Sequence, residues 1–178
     1  MKTQIIDNAL ISAAFQRIEE ALMGDMFPWY WIDYIAGTKT PEDGDSYYFI
    51  HQFYNLLQYK EKAMEQSTLK YWPEVKAFID LINPKQLLRI KANLFLKTDE
   101  IIHYDNHTDL RFGSLGTNIE HKGAILYINT NNGLTVLEDG TEIKSVANRL
   151  LLFDSSKLHH STNCSDQKRR VNINMNYK

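Results

Sequence analysis

The sequence predicts an α+β protein, mainly β, in which a jelly-roll sandwich or barrel is supported by N-terminal helices. Helical periodicity is confined to the first half of the chain. From Leu87 onward short alternating runs replace it, and turn dipeptides such as Asn132-Gly133 and Asp139-Gly140 separate them. Helices first and a block of antiparallel strands after is the order that such a two-layer fold requires.

Each element follows from local pattern. Ile11, Phe15, Ile18 and Leu22 recur at helical spacing with Gln16, Arg17, Glu19 and Glu20 between them. They predict an amphipathic helix from about Asp7 to Met23, stopped by Gly24. "FPWYWIDYIAG" puts five aromatics into eight residues and reads as a core-lining segment, with a ligand-facing wall as the alternative. "TKTPEDGDS" is a loop by its proline, glycine and acids. "YYFIHQFYNLL" fits a strand or a short helix. "WPEVKAFIDLIN" predicts a helix with Pro73 in its first turn and Pro84 beyond its end. "LLRIKANLFLKT", "GAILYINT", "GLTVLEDGTEI", "NRLLLFD" and "RRVNINMNY" follow as strands. The last puts Val171, Ile173, Met175 and Tyr177 on one face and Arg170, Asn172, Asn174 and Asn176 on the other.

A length of 178 residues suits one domain over 1–178, with 1–86 as a helical and aromatic support region and 87–178 as the jelly-roll core. The net charge of -2 gives no reason to expect a nucleic-acid or membrane surface, although a local basic patch stays open. A single cysteine, Cys164, excludes an internal disulfide and suits a reducing cytoplasm. The N-terminal segment carries Asp7, Glu19 and Glu20 and lacks the uninterrupted apolar run of a secretion signal.

The chemistry concentrates in two short stretches. "HYDNHTDLRF" holds His-x-Asp twice, as His103/Asp105 and His107/Asp109, and "KLHHST" holds adjacent His159 and His160. On an extended strand, residues two apart share a face, so His-x-Asp aims an imidazole and a carboxylate at one point. A histidine from a distant strand completes a three-ligand face with open positions, the arrangement of non-haem Fe(II) oxygenases. Histidine-rich zinc sites use the same residues. Spacing alone does not choose among the four residues of the first stretch.

The segment from Arg89 to Tyr177 resembles the Fe(II)- and 2-oxoglutarate-dependent oxygenases, in particular the prolyl-4-hydroxylase-like members found among phage and bacteria. "YDNHTD", "AILYINTNNGLTVLEDGTEIKSVANRLLLFDSSKLHHST" and "KRRVNINMNY" carry the resemblance, and "FPWYW" resembles the opening segment of the phage-type members. The resemblance implies a double-stranded β-helix core. It implies that His107, Asp109 and His159 hold Fe(II) and form the catalytic centre, with Tyr104 in the family position before them. It implies that Arg170 and Tyr127 hold the far carboxylate of 2-oxoglutarate. Asn93 is carried over as a further cosubstrate contact, although Phe95 stands where some relatives have tyrosine. The implied partners are 2-oxoglutarate, O₂ and a peptide or small-molecule substrate, with ascorbate as a supporting reductant. The implied setting is the cytoplasm, that of the host if the chain is phage-encoded. A planar, always-charged guanidinium is in any case the natural partner for a carboxylate.

Alternatives stand beside these expectations. His103 and Asp105 compete with His107 and Asp109, His160 with His159, and Arg169 with Arg170. Strand parity disfavours Arg169, which shares the face of Val171 and Ile173. A peptidyl proline is the substrate that the resemblance favours. A free amino acid, a small metabolite or a nucleobase are the other substrate classes, and a zinc hydrolase or a non-catalytic jelly-roll binding protein are the rival functions.

Overall fold

The structure, a computed structural model, describes residues 1–33, 47–56, 66–112, 117–118 and 120–178. In chain order its elements are β1 (Gln4–Ile6), α1 (Ser12–Met23), β2 (Tyr30–Ile32), β3 (Tyr48–Asn55), α2 (Gln66–Ile82), β4 (Leu87–Leu96), β5 (Arg111–Phe112), β6 (Thr117–Asn118), β7 (Lys122–Tyr127), β8 (Leu134–Leu137), β9 (Glu142–Lys144), β10 (Leu150–Phe153), β11 (His159–Ser161) and β12 (Arg169–Tyr177). Seven strands form one sheet in the order β1-β10-β7-β12-β4-β3-β2. Three more form a second sheet in the order β11-β8-β9, and β5 pairs with β6. All of the named pairings are antiparallel. This is the jelly-roll architecture that the strand block predicts.

The alternation of β12 decides what each face of the large sheet does. Val171, Ile173 and Met175 join Ile90, Ala92 and Leu94 of β4 and Ala124 and Leu126 of β7 in the main core. The helices close that core: α1 buries Ala14, Phe15, Ile18 and Leu22, and α2 contributes Val75 and Phe78. Each fully buried aliphatic or aromatic side chain of this kind stabilises the fold by about 1.5–3 kcal/mol. The opposite face is directed at the small sheet. There Ile125, Tyr127, Leu151 and Phe153 meet Ile143. The same face of β12 and β4 carries Arg170, Asn172, Asn174 and Asn176 beside Arg89, Lys91 and Asn93, with Asn172 opposite Asn93 and Asn174 opposite Lys91. Polar residues buried between two sheets are costly unless they are hydrogen-bonded, so this face is where a site is expected.

Several local expectations are corrected. The first helix begins at Ser12 rather than about Asp7. Gln4–Ile6 pairs with β10 instead, and Asn8 turns the chain at a φ of 51° before the helix starts. The aromatic segment lines the core only in part. Phe27 is buried, whereas Tyr30 and Trp31 are about half exposed on edge strand β2. Residues 34–37 of that segment, and the loop expected over 38–46, lie outside the described residues. "YYFIHQFYN" is strand β3, and the second helix starts ahead of Trp72, with Pro73 inside it. Residues before 87 therefore lengthen the large sheet by three strands as well as supplying both helices. The Asp139-Gly140 hairpin matches its expectation, with Gly140 at a φ of 81°.

Candidate metal and anion site

The segment between β4 and β5 runs antiparallel to β11 and fixes the histidines by backbone pairing. His107 and His159 exchange both hydrogen bonds: each N–H donates to the other's carbonyl, at 2.9 and 3.0 Å. Their rings lie 4.6 Å apart, and Phe153 packs edge-on against His159 at 4.9 Å. Two residues on, Asp109 N–H donates to Ser155 O, which turns its carboxylate inward. One ligand atom from each of His107, Asp109 and His159 lies within 4.8 Å of the others.

The surroundings suit a divalent metal. His107 Nδ1 lies 3.2 Å from Asp105 O and His159 Nδ1 lies 2.9 Å from Lys157 O. A carbonyl only accepts, so Nδ1 carries the proton in both rings and Nε2 is left as a neutral donor atom for a metal. Asp109 is held by Arg89 Nη2 at 3.0 Å, by Asn174 Nδ2 at 3.1 Å to each oxygen, and by Asn176 Nδ2 at 2.8 Å. Burial alone would raise the Asp109 pKa. Coulombic attraction from His159, Arg89, His107 and Lys91 overrides it and keeps the carboxyl far below its ordinary range. Two imidazoles and one oriented carboxylate are the donor set of a facial triad.

Burial pushes the His107 imidazole down to about 4, against the attraction of Asp109. A depressed histidine pKa favours folding above the ordinary value and opposes it below. Metal-free protein is therefore expected to hold this contribution above pH 6.5 and to lose it as the pH falls toward about 4. The loss is at most about 3 kcal/mol. It is read as a falling thermal midpoint across that window, and His107→Asn should flatten the slope.

Arg170 is fully buried on the same face of β12. Its Nε donates to Ser145 Oγ at 2.8 Å, Nη1 to Ser161 Oγ at 3.2 Å and to Thr162 O at 2.9 Å, and Nη2 to Thr135 Oγ1 at 3.1 Å. Phe95 and Tyr127 cover the guanidinium at 5.4 and 5.8 Å. Every one of these partners is neutral. Burial lowers the Arg170 pKa, and no carboxylate among the described residues forms an ion pair with it. The stem is held closely too: a Cβ on Gly133 would collide with Asn163 O and would come within 2.5 Å of Arg170 Cδ, so only glycine fits there. Tyr127 is buried beside it and donates to Thr135 Oγ1 at 2.8 Å. Its hydroxyl pKa is raised by burial. Among the described residues the guanidinium thus has neutral neighbours only, a setting that suits an anion.

Other residues fall into place around these. Asn93 faces the same interior, its amide nitrogen donating to Asn172 Oδ1 at 2.8 Å and its oxygen without a partner. Tyr48, Phe95 and Tyr104 stack in sequence at 5.5 and 5.6 Å, forming an aromatic wall. Burial lifts the Tyr104 hydroxyl to about 12, against the pull of Arg170. His103 and His160 meet each other instead of the triad, Nδ1 to Nε2 at 3.0 Å. Arg169 turns to the helix side and donates to Met23 O at 2.5 Å, at the end of α1. Cys164 is buried and donates to Gln167 O. The residues that sequence reasoning left without a role are Arg89, Asn174 and Asn176, which hold Asp109, and Thr135, Ser145 and Ser161, which hold Arg170. The only sequence signal for them is strand parity: Arg89, Asn174 and Asn176 alternate with the core residues of β4 and β12.

Comparison with known proteins bears on the fold. No protein-family model and no curated protein matches the sequence. The fold, however, is shared. A 2OG-Fe(II) oxygenase-family oxidoreductase from Burkholderia pseudomallei superposes with a TM-score of 0.67 at 13% identity, over 99% of this chain and 84% of that one. The viral collagen prolyl hydroxylase of Paramecium bursaria Chlorella virus 1, solved with 2-oxoglutarate, gives 0.55 at 12% identity, over 99% and 94%. A Trichoplax adhaerens prolyl hydroxylase, solved with a hypoxia-inducible factor peptide, gives 0.55 at 14% identity, over 98% and 83%. Among the described residues no helix is long and apolar enough to cross a membrane. The chain thus shares the fold of solved 2-oxoglutarate- and Fe(II)-dependent oxygenases.

Proposed function

We propose that the chain is an Fe(II)- and 2-oxoglutarate-dependent dioxygenase that hydroxylates its substrate, acting as a single domain over 1–178. One observation carries this reading: a His-Asp-His cluster, held to β12 through Asn174 and Asn176, and a buried guanidinium that has no anionic partner among the described residues meet one face of that strand. Asn174, which holds Asp109, is four residues from Arg170 on that strand, about 13 Å at the usual strand rise. Allowing for the length of the arginine side chain, that interval accommodates a five-carbon dicarboxylate with one end at a metal and the other at Arg170.

In this reading His107, Asp109 and His159 hold the metal through two Nε2 atoms and one carboxylate oxygen. Bound together there, Fe(II) and 2-oxoglutarate supply the oxidising power that inserts one atom of O₂ into a substrate C–H bond, with succinate and CO₂ as co-products. Arg170 takes the far carboxylate by charge-assisted hydrogen bonds, and Tyr127 shares that end. Asn93 borders the same space. Tyr104 and Phe95 wall the site and keep water from it. Arg89, Asn174 and Asn176 fix the plane of the Asp109 carboxylate, so that the ligand set is formed before the metal arrives. A peptidyl proline is the proposed substrate residue, supported by the resemblance and by the prolyl hydroxylases that share the fold.

Anaerobic reconstitution tests the reading. Fe(II) and 2-oxoglutarate together should produce the weak visible charge-transfer band of the chelate, and admitting O₂ should release succinate. Fe(II) binding without any consumption of 2-oxoglutarate, with or without ascorbate, would overturn it in favour of a non-catalytic metal-binding protein.

A further inference from the structure

Among the described residues, one cation on the interior face is left over once the triad and Arg170 are assigned. Lys91 lies on β4 between Arg89 and Asn93, opposite Asn174 of β12. It is half-buried, and its Nζ reaches the Tyr48 hydroxyl at 3.3 Å while sitting 5.4 Å from the centre of that ring. No carboxylate among the described residues forms an ion pair with it. Its charge is felt at the triad, where it contributes to lowering the pKa of both His107 and Asp109.

The charges of the site can be matched one by one. Arg89 is balanced by Asp109 at 3.0 Å. With the oxygenase reading, one carboxylate of 2-oxoglutarate balances Arg170 and the other lies at the metal. That uses both anionic ends of the cosubstrate, and Lys91 remains. A half-buried ammonium whose charge is felt at the triad adds to the positive field there, and such a field favours an anionic visitor over a neutral one. The position of Lys91 suits this role. It lies at the Tyr48 end of the aromatic wall, whereas Arg170 lies under Phe95 in the middle of it. Tyr48 directs the ammonium without neutralising it.

We propose that Lys91, braced by the Tyr48 hydroxyl, is a substrate-binding residue that takes a carboxylate of the substrate, so that the substrate is an acid. The carboxylate belongs either to a free amino acid or to an acidic side chain of a peptide. This inference rests on the oxygenase reading of the neighbouring triad.

The test uses matched pairs with the full-length Fe(II) protein. One arm compares N-acetyl-L-amino acids with the corresponding amides. The other compares capped proline peptides carrying Asp or Glu with the same peptides carrying Asn or Gln. In at least one arm, acids are expected to stimulate succinate release about tenfold over their neutral partners, the usual scale of one hydrogen bond to a charged group. The arm that responds identifies the source of the carboxylate. Lys91→Met should remove that preference while the 2-oxoglutarate titration of the charge-transfer band shifts less than about twofold. Equal stimulation by acids and neutral partners, no response in either arm from a protein that does consume 2-oxoglutarate, or a Lys91→Met variant that loses 2-oxoglutarate affinity instead, would overturn the proposal. Saturation-transfer NMR of the same pairs on the zinc-loaded protein reads binding without turnover. A protein that never consumes 2-oxoglutarate, yet binds acids over amides in a Lys91-dependent way, would refute the oxygenase reading and leave the anion site standing.

Discussion

Asp109→Ala is expected to remove metal binding and about 3 kcal/mol or more of stability in one step. The two losses have different origins. Metal binding goes because the only carboxylate of the cluster goes, and two neutral imidazoles hold a divalent ion weakly. Stability goes because the carboxylate is the shared acceptor for Arg89, Asn174 and Asn176. Its removal leaves the largely buried Arg89 guanidinium without its ion-pair partner and the Asn174 amide without its acceptor, while Arg89 Nε keeps Asn176 Oδ1 and Asn176 keeps Ser155 Oγ. Breaking a buried pair from one side costs about 3–5 kcal/mol, since the surviving charge keeps its desolvation penalty. Asp109→Asn separates the two effects. A carboxamide oxygen still accepts hydrogen bonds, so this variant should recover part of the thermal midpoint while binding no more Fe(II) than the alanine variant. Metal content and denaturant midpoints measured on the metal-free and loaded proteins check both. Normal iron stoichiometry and succinate release in Asp109→Asn would show that the carboxylate is not a ligand and would sink the site assignment.

Strand parity made much of this architecture legible, and its failures are local. The β12 run alternates without interruption, so its core face and its polar face could be separated from sequence alone. The same parity sends Arg169 toward the helices and Arg170 inward, as the structure has them. Parity also grouped His103 with His107, and there the structure differs. His107 pairs with His159, but His103 pairs with Thr162. Four residues on one side thus run against three on the other, a bulge that resets which face the earlier residues present. No residue between His103 and His107 announces that bulge. The N-terminal strands were hidden for another reason. Gln4–Ile6 and Tyr30–Ile32 are three residues each and gain their extended form from β10 and β3, so nothing local distinguishes them from helix leads or loops. The holders of Asp109 were unread because their partner lies far away in the chain. Asn174 and Asn176 are 65 and 67 residues from the carboxylate they bind.

Arg170→Met is expected to have the opposite profile: little change in the stability of the metal-free protein and a loss of roughly a hundredfold or more in 2-oxoglutarate affinity. In the metal-free protein the guanidinium is a fully buried charge with neutral partners only. Its hydrogen bonds offset the cost of burial without any ion pair to add to them. Replacing such a group with an apolar side chain of similar length is often neutral, and on occasion stabilising. Ser145, Ser161 and Thr135 lose a donor, but their hydroxyls can rotate, and Tyr127 still donates to Thr135. The stability midpoint should therefore stay within about 1–2 kcal/mol of the parent. Ligand binding responds differently, because a dicarboxylate entering the variant loses the one fully buried cationic partner among the described residues. A ligand at a hundred times its dissociation constant stabilises the folded state by about 2.7 kcal/mol. That increment should be present in the parent loaded with metal and 2-oxoglutarate and absent in the variant at the same concentration. A variant that keeps both the thermal shift and the charge-transfer titration would move the carboxylate anchor away from Arg170. A variant that unfolds outright would mean that the arginine is structural, and the buried charge would then be part of the fold's own hydrogen-bond network rather than a carboxylate anchor.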